Sequence, residues 1–190
     1  MKKFLLLLTC LVSFSVLAQK AAPSPAAVAT AKVGNTEVMI KYAQPSVKGR
    51  LVFGTKEAKA LVPYGEVWRT GANENTKFTN SDALIFGKDT LKPGTYALFT
   101  KPTKESWDLF FYTDIENWGT PEAWDDKKVA LKVSSKVKAL SDVVETFTIS
   151  VMAVFGSILL GFVIGDLRML VINPTFQAND KSWLIKHISM

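Results

Sequence analysis

The chain has 190 residues, 48% of them hydrophobic and 21% charged, with a formal charge of +6 from 23 Lys+Arg against 17 Asp+Glu. That apolar fraction excludes disorder as the dominant state and suits one globular domain with short appendages. A single Cys and a single His exclude a disulfide scaffold and leave a Cys/His metal centre short of ligands.

The N-terminus has the pattern of a cleaved export signal over residues 1–18. Lys2 and Lys3 form a positive start. Residues 4–17 are apolar except for Thr9, Ser13 and Ser15, and Val16-Leu17-Ala18 precedes Gln19 as a cleavage site does. The run is short for a membrane span. Cys10 fits lipid attachment poorly, because Thr9 stands where a small residue is needed and the apolar run continues past it. The protein is thus expected to be exported, to the periplasm or beyond. Cleavage removes two of the basic residues and the only Cys. The remaining basic residues are dispersed, with no run of five, so a nucleic-acid partner is not expected.

Residues 19–31 are rich in Ala, Pro and Ser and read as a linker. Residues 32–150 read as a β domain. Thr36 to Tyr42 alternates, with Val38, Ile40 and Tyr42 on one face. Short strands are predicted at residues 66–69, 76–79 and 83–86. Lys92-Pro93-Gly94 is a turn before a strand at 95–99. Residues 107–112 are aromatic and β-prone, and 129–137 and 143–151 alternate again. No helical period precedes residue 145. The predicted fold class is all-β, an antiparallel sandwich or barrel-like domain.

Residues 151–190 differ in character. Residues 146–165 carry no charge, and three readings stay open: buried strands that close the sheet, a membrane span, or a tail that is not the native continuation. The strand pattern of Thr146 to Ile149 inside this window favours strands over a span.

Several motifs together carry a family resemblance. They are Tyr42-x-x-Pro45-x-x-Lys48-Gly49-Arg50-x-x-Phe53-Gly54, then Leu61-Val62-Pro63-Tyr64-Gly65-x-Val67-Trp68-Arg69-Thr70-Gly71-Ala72-Asn73-Glu74, and Leu91-Lys92-Pro93-Gly94-Thr95-Tyr96-Ala97-Leu98-Phe99. Pro102, Trp107, Trp118-Gly119 and Val144-Glu145-x-Phe147-Thr148-Ile149 follow. In this order they resemble the exported bacterial family called domain of unknown function 2911, from Ser24 to about Ser150. The resemblance implies export, a compact β-rich domain and no established activity. Two departures stand out. Ala43-Gln44 occupy the place where the family often has Ser-Arg, which puts in doubt any anion site using that arginine. After Ile149 the family-like pattern fades, which adds weight to an aberrant tail.

Within these motifs Lys48, Arg50, Tyr64, Glu66, Trp68, Arg69, Asn73 and Glu74 place charge, amide and aromatic groups among apolar neighbours. They are the ligand-binding candidates. Arg50 and Arg69 could hold a carboxylate or phosphate in their planar forks. Asn73 and Glu74 could take sugar hydroxyls, with Trp68 or Tyr64 as a stacking platform. The competing reading is a ring of ion pairs and amide bonds that pins a long loop to the sheet, and it is the commoner outcome. Trp107 alternates with Leu109 and Phe111 and reads as core. Trp118 and Trp124, in a loop with Pro121, Asp125 and Asp126, are secondary candidates for an exposed aromatic face.

Catalytic chemistry is poorly supplied. His187 is the only imidazole available to a serine or cysteine nucleophile, and no phosphate loop, dinucleotide fingerprint or zinc-protease motif occurs. No catalytic residue, cofactor or metal is assigned. The leading expectation is non-enzymatic binding of a small ligand, glycan or envelope partner. The alternative is a carboxylate-based hydrolase that would use Glu66 and Glu74. Membrane attachment through residues 146–165 stays open.

Overall fold

Period-two alternation builds one large sheet. The computed structural model describes residues 24–154, 157–172 and 175–176; the expected export signal, Cys10 and His187 lie outside the described residues. Strand β1 (Ala26–Val33) and β2 (Thr36–Ala43) form a hairpin in register from Ala26↔Ala43 to Val33↔Thr36. Only Gly34 and Asn35 turn the chain, and Gly34 takes φ 60, a conformation that is cheap only without a Cβ. Two residues each make β3 (Phe53–Gly54) and β4 (Val62–Pro63), which pair in parallel. They are followed by β5 (Thr76–Asn80), β6 (Leu84–Phe86), β7 (Asp89–Leu91), β8 (Gly94–Pro102) and β9 (Ser106–Tyr112). The last described elements are β10 (Val129–Val154), β11 (Ser157–Ile172) and β12 (Thr175–Phe176).

The main sheet has the order β1-β2-β5-β8-β9-β10-β11, and its neighbours run antiparallel. A small sheet, β12-β6-β7, and the β3-β4 pair lie beside it. β10 serves two roles. Its first half pairs with β9 from Val129 to Lys136, and its second half pairs with β11, with register breaks between Lys138 and Thr148. Such breaks bend a strand. Through the end of the bend and just past it, β10 meets the segment that leaves β2. Val47 N donates to Glu145 O at 2.8 Å, Phe147 N to Pro45 O at 2.9 Å, and Ile149 N to the Tyr42 hydroxyl at 3.1 Å. The result is an all-β, sandwich-like domain.

Inside it, Val38, Ile40, Phe78, Leu98, Leu109, Phe111 and Phe147 share one core. Edge-on ring contacts join Trp68 to Phe53, Trp107 and Phe147, with centroids 5.5, 6.1 and 5.0 Å apart. Ile158, Leu160, Phe162 and Ile164 of β11 belong to the same core. β8 and β9 are buried on their other face as well. There Ala97, Phe99, Phe110 and Tyr112 form a second cluster, covered by Val67, Ile115, Trp124 and Val129.

The structure departs from the sequence expectations at three places. Residues 26–31, read as linker, belong to β1. Their Ala, Val and Thr side chains carry little hydropathy contrast, so the pairing with β2 makes the strand. Residues 66–69 form no strand, and only an isolated bridge joins Trp68 to Thr100. Residues 129–137 and 143–151 are one continuous strand that runs past 150, and β11 returns along it as a closing strand. Among the described residues, no helix is long and apolar enough to cross a membrane, which says nothing about crossing by strands.

Candidate functional site

The connection from β9 to β10, residues 113–128, is far longer than the roughly two to five residues of an ordinary hairpin loop. It is nevertheless tied down along its length. Ile115 and Trp124 cover the second core. The Trp124 ring lies 5.6, 5.3 and 4.7 Å from Phe99, Phe110 and Tyr112, and its Nε1 donates to Asp126 Oδ1 at 2.8 Å. Buried Asn75 donates from Nδ2 to Ile115 O at 3.5 Å and Asn117 O at 2.5 Å. Thr113 N donates to Lys128 O at 2.8 Å, which closes the loop's base. At its end Asp125 accepts from Lys127 N and opens a short 3-10 turn, Asp126–Lys128.

Lys128 Nζ donates to Asp114 Oδ2 at 2.6 Å. Hydrogen bonds from Lys128 and Asn117 hold the Asp114 carboxyl below its ordinary range, and the bond to Asp114 raises the Lys128 ammonium above its own. This linkage has a fixed sign. The Asp114 contribution is present above its ordinary value of 3.8 and is lost as pH falls through its depressed folded value. The Lys128 contribution is present below 10.5 and is lost as pH rises through its raised value. The loop is therefore held by this pair across the neutral range.

The loop borders an open cavity of about 350 Å³ lined by Tyr112, Asn117, Trp118, Thr120, Glu122 and Lys128, among others. Trp118 stands at it with 71% of its surface exposed. The Arg69 guanidinium carbon lies 5.4 Å from the centre of the Trp118 ring. Arg69 is itself fixed, because Nη1 donates to Asn73 O at 2.7 Å. Gly119 makes this approach achievable. A Cβ there would lie 2.7 Å from Arg69 Nη1, and its φ is 78.

The 68–76 loop that carries Arg69 is over-determined. Thr70 and Asn73 take φ 54 and 61, in the left-handed region that a β-branched Thr rarely enters. Thr76 Oγ1 donates to Thr70 O at 2.7 Å, Trp68 Nε1 to Gly71 O at 3.0 Å, and Thr70 Oγ1 to Thr100 Oγ1 at 3.2 Å. Asn73 Nδ2 donates to Ser24 O at 3.2 Å.

The residues singled out in the sequence therefore have different places. Arg69, the backbone of Asn73 and Trp118 come together. Trp68 is only 9% exposed and lies among core rings, so it offers no free face. Trp124 is half-buried over the second core. Arg50 is held by Ser46 O and Val47 O at 2.5 and 3.0 Å, and Lys48 N donates to Glu145 Oε1. The two arginines thus serve different loops. Tyr64 packs partly buried against the main core, while Glu66 and Glu74 are exposed. None of these three lines the cavity. Asn117, Thr120, Glu122, Lys128 and Tyr112 were not foreseen. The available signal was the length of polar chain between the aromatic run at 107–112 and the alternation at 129–137. Among the described residues, no group of three or more His, Cys, Asp or Glu side chains could hold a metal ion.

The fold and this loop define an all-β, sandwich-like domain that carries a structured, aromatic-bearing loop on the outer face of its central strands. Residues 24–159 match the family model described as protein of unknown function (DUF2911), and the chain belongs to that family. The match runs past Ser150, where the sequence motifs fade, and reaches the start of β11. No curated protein and no solved structure matches the chain.

Proposed function

We propose that this is an exported binding domain that takes a small glycan on the Trp118 face of the 113–128 cavity, without chemical turnover. The observation that carries the reading is an indole 71% exposed to solvent yet fixed beside a cavity. Tryptophan is largely buried on average, so an indole this exposed stands apart from the other rings of the fold. A sugar ring offers an apolar face to stack on the indole and hydroxyls at its rim. Asn117, Thr120, Glu122 and Lys128 supply both donors and acceptors for such hydroxyls. Because Arg69 and the tied loop fix Trp118, little side-chain ordering opposes binding.

The test is a glycan array followed by calorimetry on the purified chain and on Trp118→Ala. Glycan binding that weakens at least about tenfold in the variant, with an unchanged melting temperature, supports the reading. Equal binding by both proteins, or no binding to any glycan by a folded chain, refutes it. Fractionation of producing cells tests the export component, and recovery of mature protein in the cytoplasm would count against it.

A further inference from the structure

Six large apolar side chains are exposed among the described residues: Val28, Leu51, Leu61, Trp118, Val143 and Met152. Two of them are neighbours, since Leu61 N donates to Leu51 O at 3.0 Å. Leu51 and Leu61 precede the parallel strands β3 and β4 and are 47% and 50% exposed. Leu51 leans over Gly54, where a Cβ would meet its Cδ2 at 3.0 Å, so part of its side chain rests on its own turn while the remainder stays open to solvent.

The same segment carries Lys48, Arg50, Lys56 and Lys59, all exposed. Arg50 is fixed through its bonds to the Ser46 and Val47 carbonyls. The turn bearing Lys56 and Lys59 is closed by Lys59 N donating to Lys56 O at 3.0 Å. The acids here are Glu57, within that turn, and Glu145, whose carboxylate accepts from Lys48 N. Among the described residues no ion pair joins any of the four cations to an acid.

We propose that this edge docks on an anionic lipid surface. Two half-exposed leucines are far too small for a stable protein interface, which needs roughly 800 Å² on each partner. They are sufficient for shallow insertion at a bilayer surface when cations beside them meet anionic headgroups. The apolar pair would enter the interface, with the exposed cations of the same segment meeting anionic headgroups. None of these residues lines the Trp118 cavity, so the proposal does not rest on glycan binding there.

The test is co-sedimentation of the full chain with phosphatidylcholine vesicles, with and without phosphatidylglycerol. Binding should require phosphatidylglycerol and weaken in high salt. Leu51→Ser with Leu61→Ser should lower the partition coefficient about tenfold. Lys56→Glu with Lys59→Glu should lower it at least about 25-fold, near fivefold for each cation. Lys56→Gln with Lys59→Gln should fall between the charge-reversed and unaltered chains and guards against a folding defect, with melting curves recorded for each variant. Equal binding to neutral vesicles, no binding to either kind, or folded variants that bind like the unaltered chain overturns the proposal. The last outcome would assign any membrane affinity to another segment, such as residues 146–165.

Discussion

Substituting Gly119 by Ala tests whether Arg69 and the 113–128 loop are one mechanical unit. The new Cβ would fall 2.7 Å from Arg69 Nη1, inside any tolerable contact, and a tight 3.0 Å from its Cζ. It would also occupy φ 78, which costs a non-glycine residue about 1–2 kcal/mol. Relief of the clash requires Arg69 to move. That gives up its solvent-exposed bond to Asn73 O, about 0.5–1.5 kcal/mol, and its contact with Trp118, about 0.5–1 kcal/mol at an exposed site. Gly119→Ala should therefore destabilise the fold by about 2–4.5 kcal/mol in total. In an Arg69→Ala background the clash has no partner, and only the backbone cost of about 1–2 kcal/mol should remain. Urea unfolding followed by tryptophan fluorescence on the four proteins of the cycle measures the coupling. A coupling energy near zero would show that Arg69 does not hold the loop, and the rigid-platform account of Trp118 would fall with it.

Three further outcomes follow from the same geometry. Phe162→Ala removes a fully buried ring of β11 and should cost about 3–5 kcal/mol; an unchanged urea midpoint would take β11 out of the core. Asn75→Asp replaces an amide donor with a carboxylate facing the Ile115 and Asn117 carbonyls. It should destabilise the chain by about 3 kcal/mol near neutral pH and less in acid, where the new acid can donate; pH-independent loss read by thermal denaturation would contradict this. Hydrogen exchange of residues 113–128 should be slow through neutral pH. After correction for intrinsic rates, protection should drop as the Asp114 carboxyl protonates below 3.8, and Asp114→Asn should abolish that drop.

Much of the main sheet could be read from residue order because it rests on local alternation. Val38, Ile40 and Tyr42 face inward as the period requires, and the 95–99 and 107–112 runs became β8 and β9. β1 was hidden because alanine alternating with valine and threonine gives little contrast between faces. Its partner β2 decides which side is covered. The 66–69 stretch misled for the opposite reason. Its apolar letters are β-prone, but Trp68 is pulled into the core while Thr70 turns the chain at positive φ, which no pattern of hydropathy encodes. The site was half legible. Trp118 stood out as a tryptophan in a polar loop, and Arg69 as a cation in a distinctive motif. Their meeting depends on a long-range approach across Gly119, and spacing along the chain carries no information about that.

β8 and β9 explain why the candidate site lies where it does. Strands in a sandwich ordinarily bury one face and leave the other to water. Here Phe99, Phe110 and Tyr112 make the outer face apolar too, so something must cover it, and the 113–128 loop does so with Ile115 and Trp124. That burial offsets the conformational entropy of ordering a long polar connection. Once the loop is anchored by two apolar side chains, the residues between the anchors are lifted off the sheet without becoming free. Trp118 is among those residues, and Arg69, from a loop whose strained Thr70 is held by Thr76 and Thr100, fixes its orientation. Backbone strain of this kind persists only where surrounding contacts over-determine it, and it concentrates where side chains must be held in place for use. The second core thus supplies the apolar anchors of the exposed platform: were Phe99 and Phe110 polar, Ile115 and Trp124 would lose their cover, and the loop would be held only by the Asn75, Thr113 and Lys128 bonds.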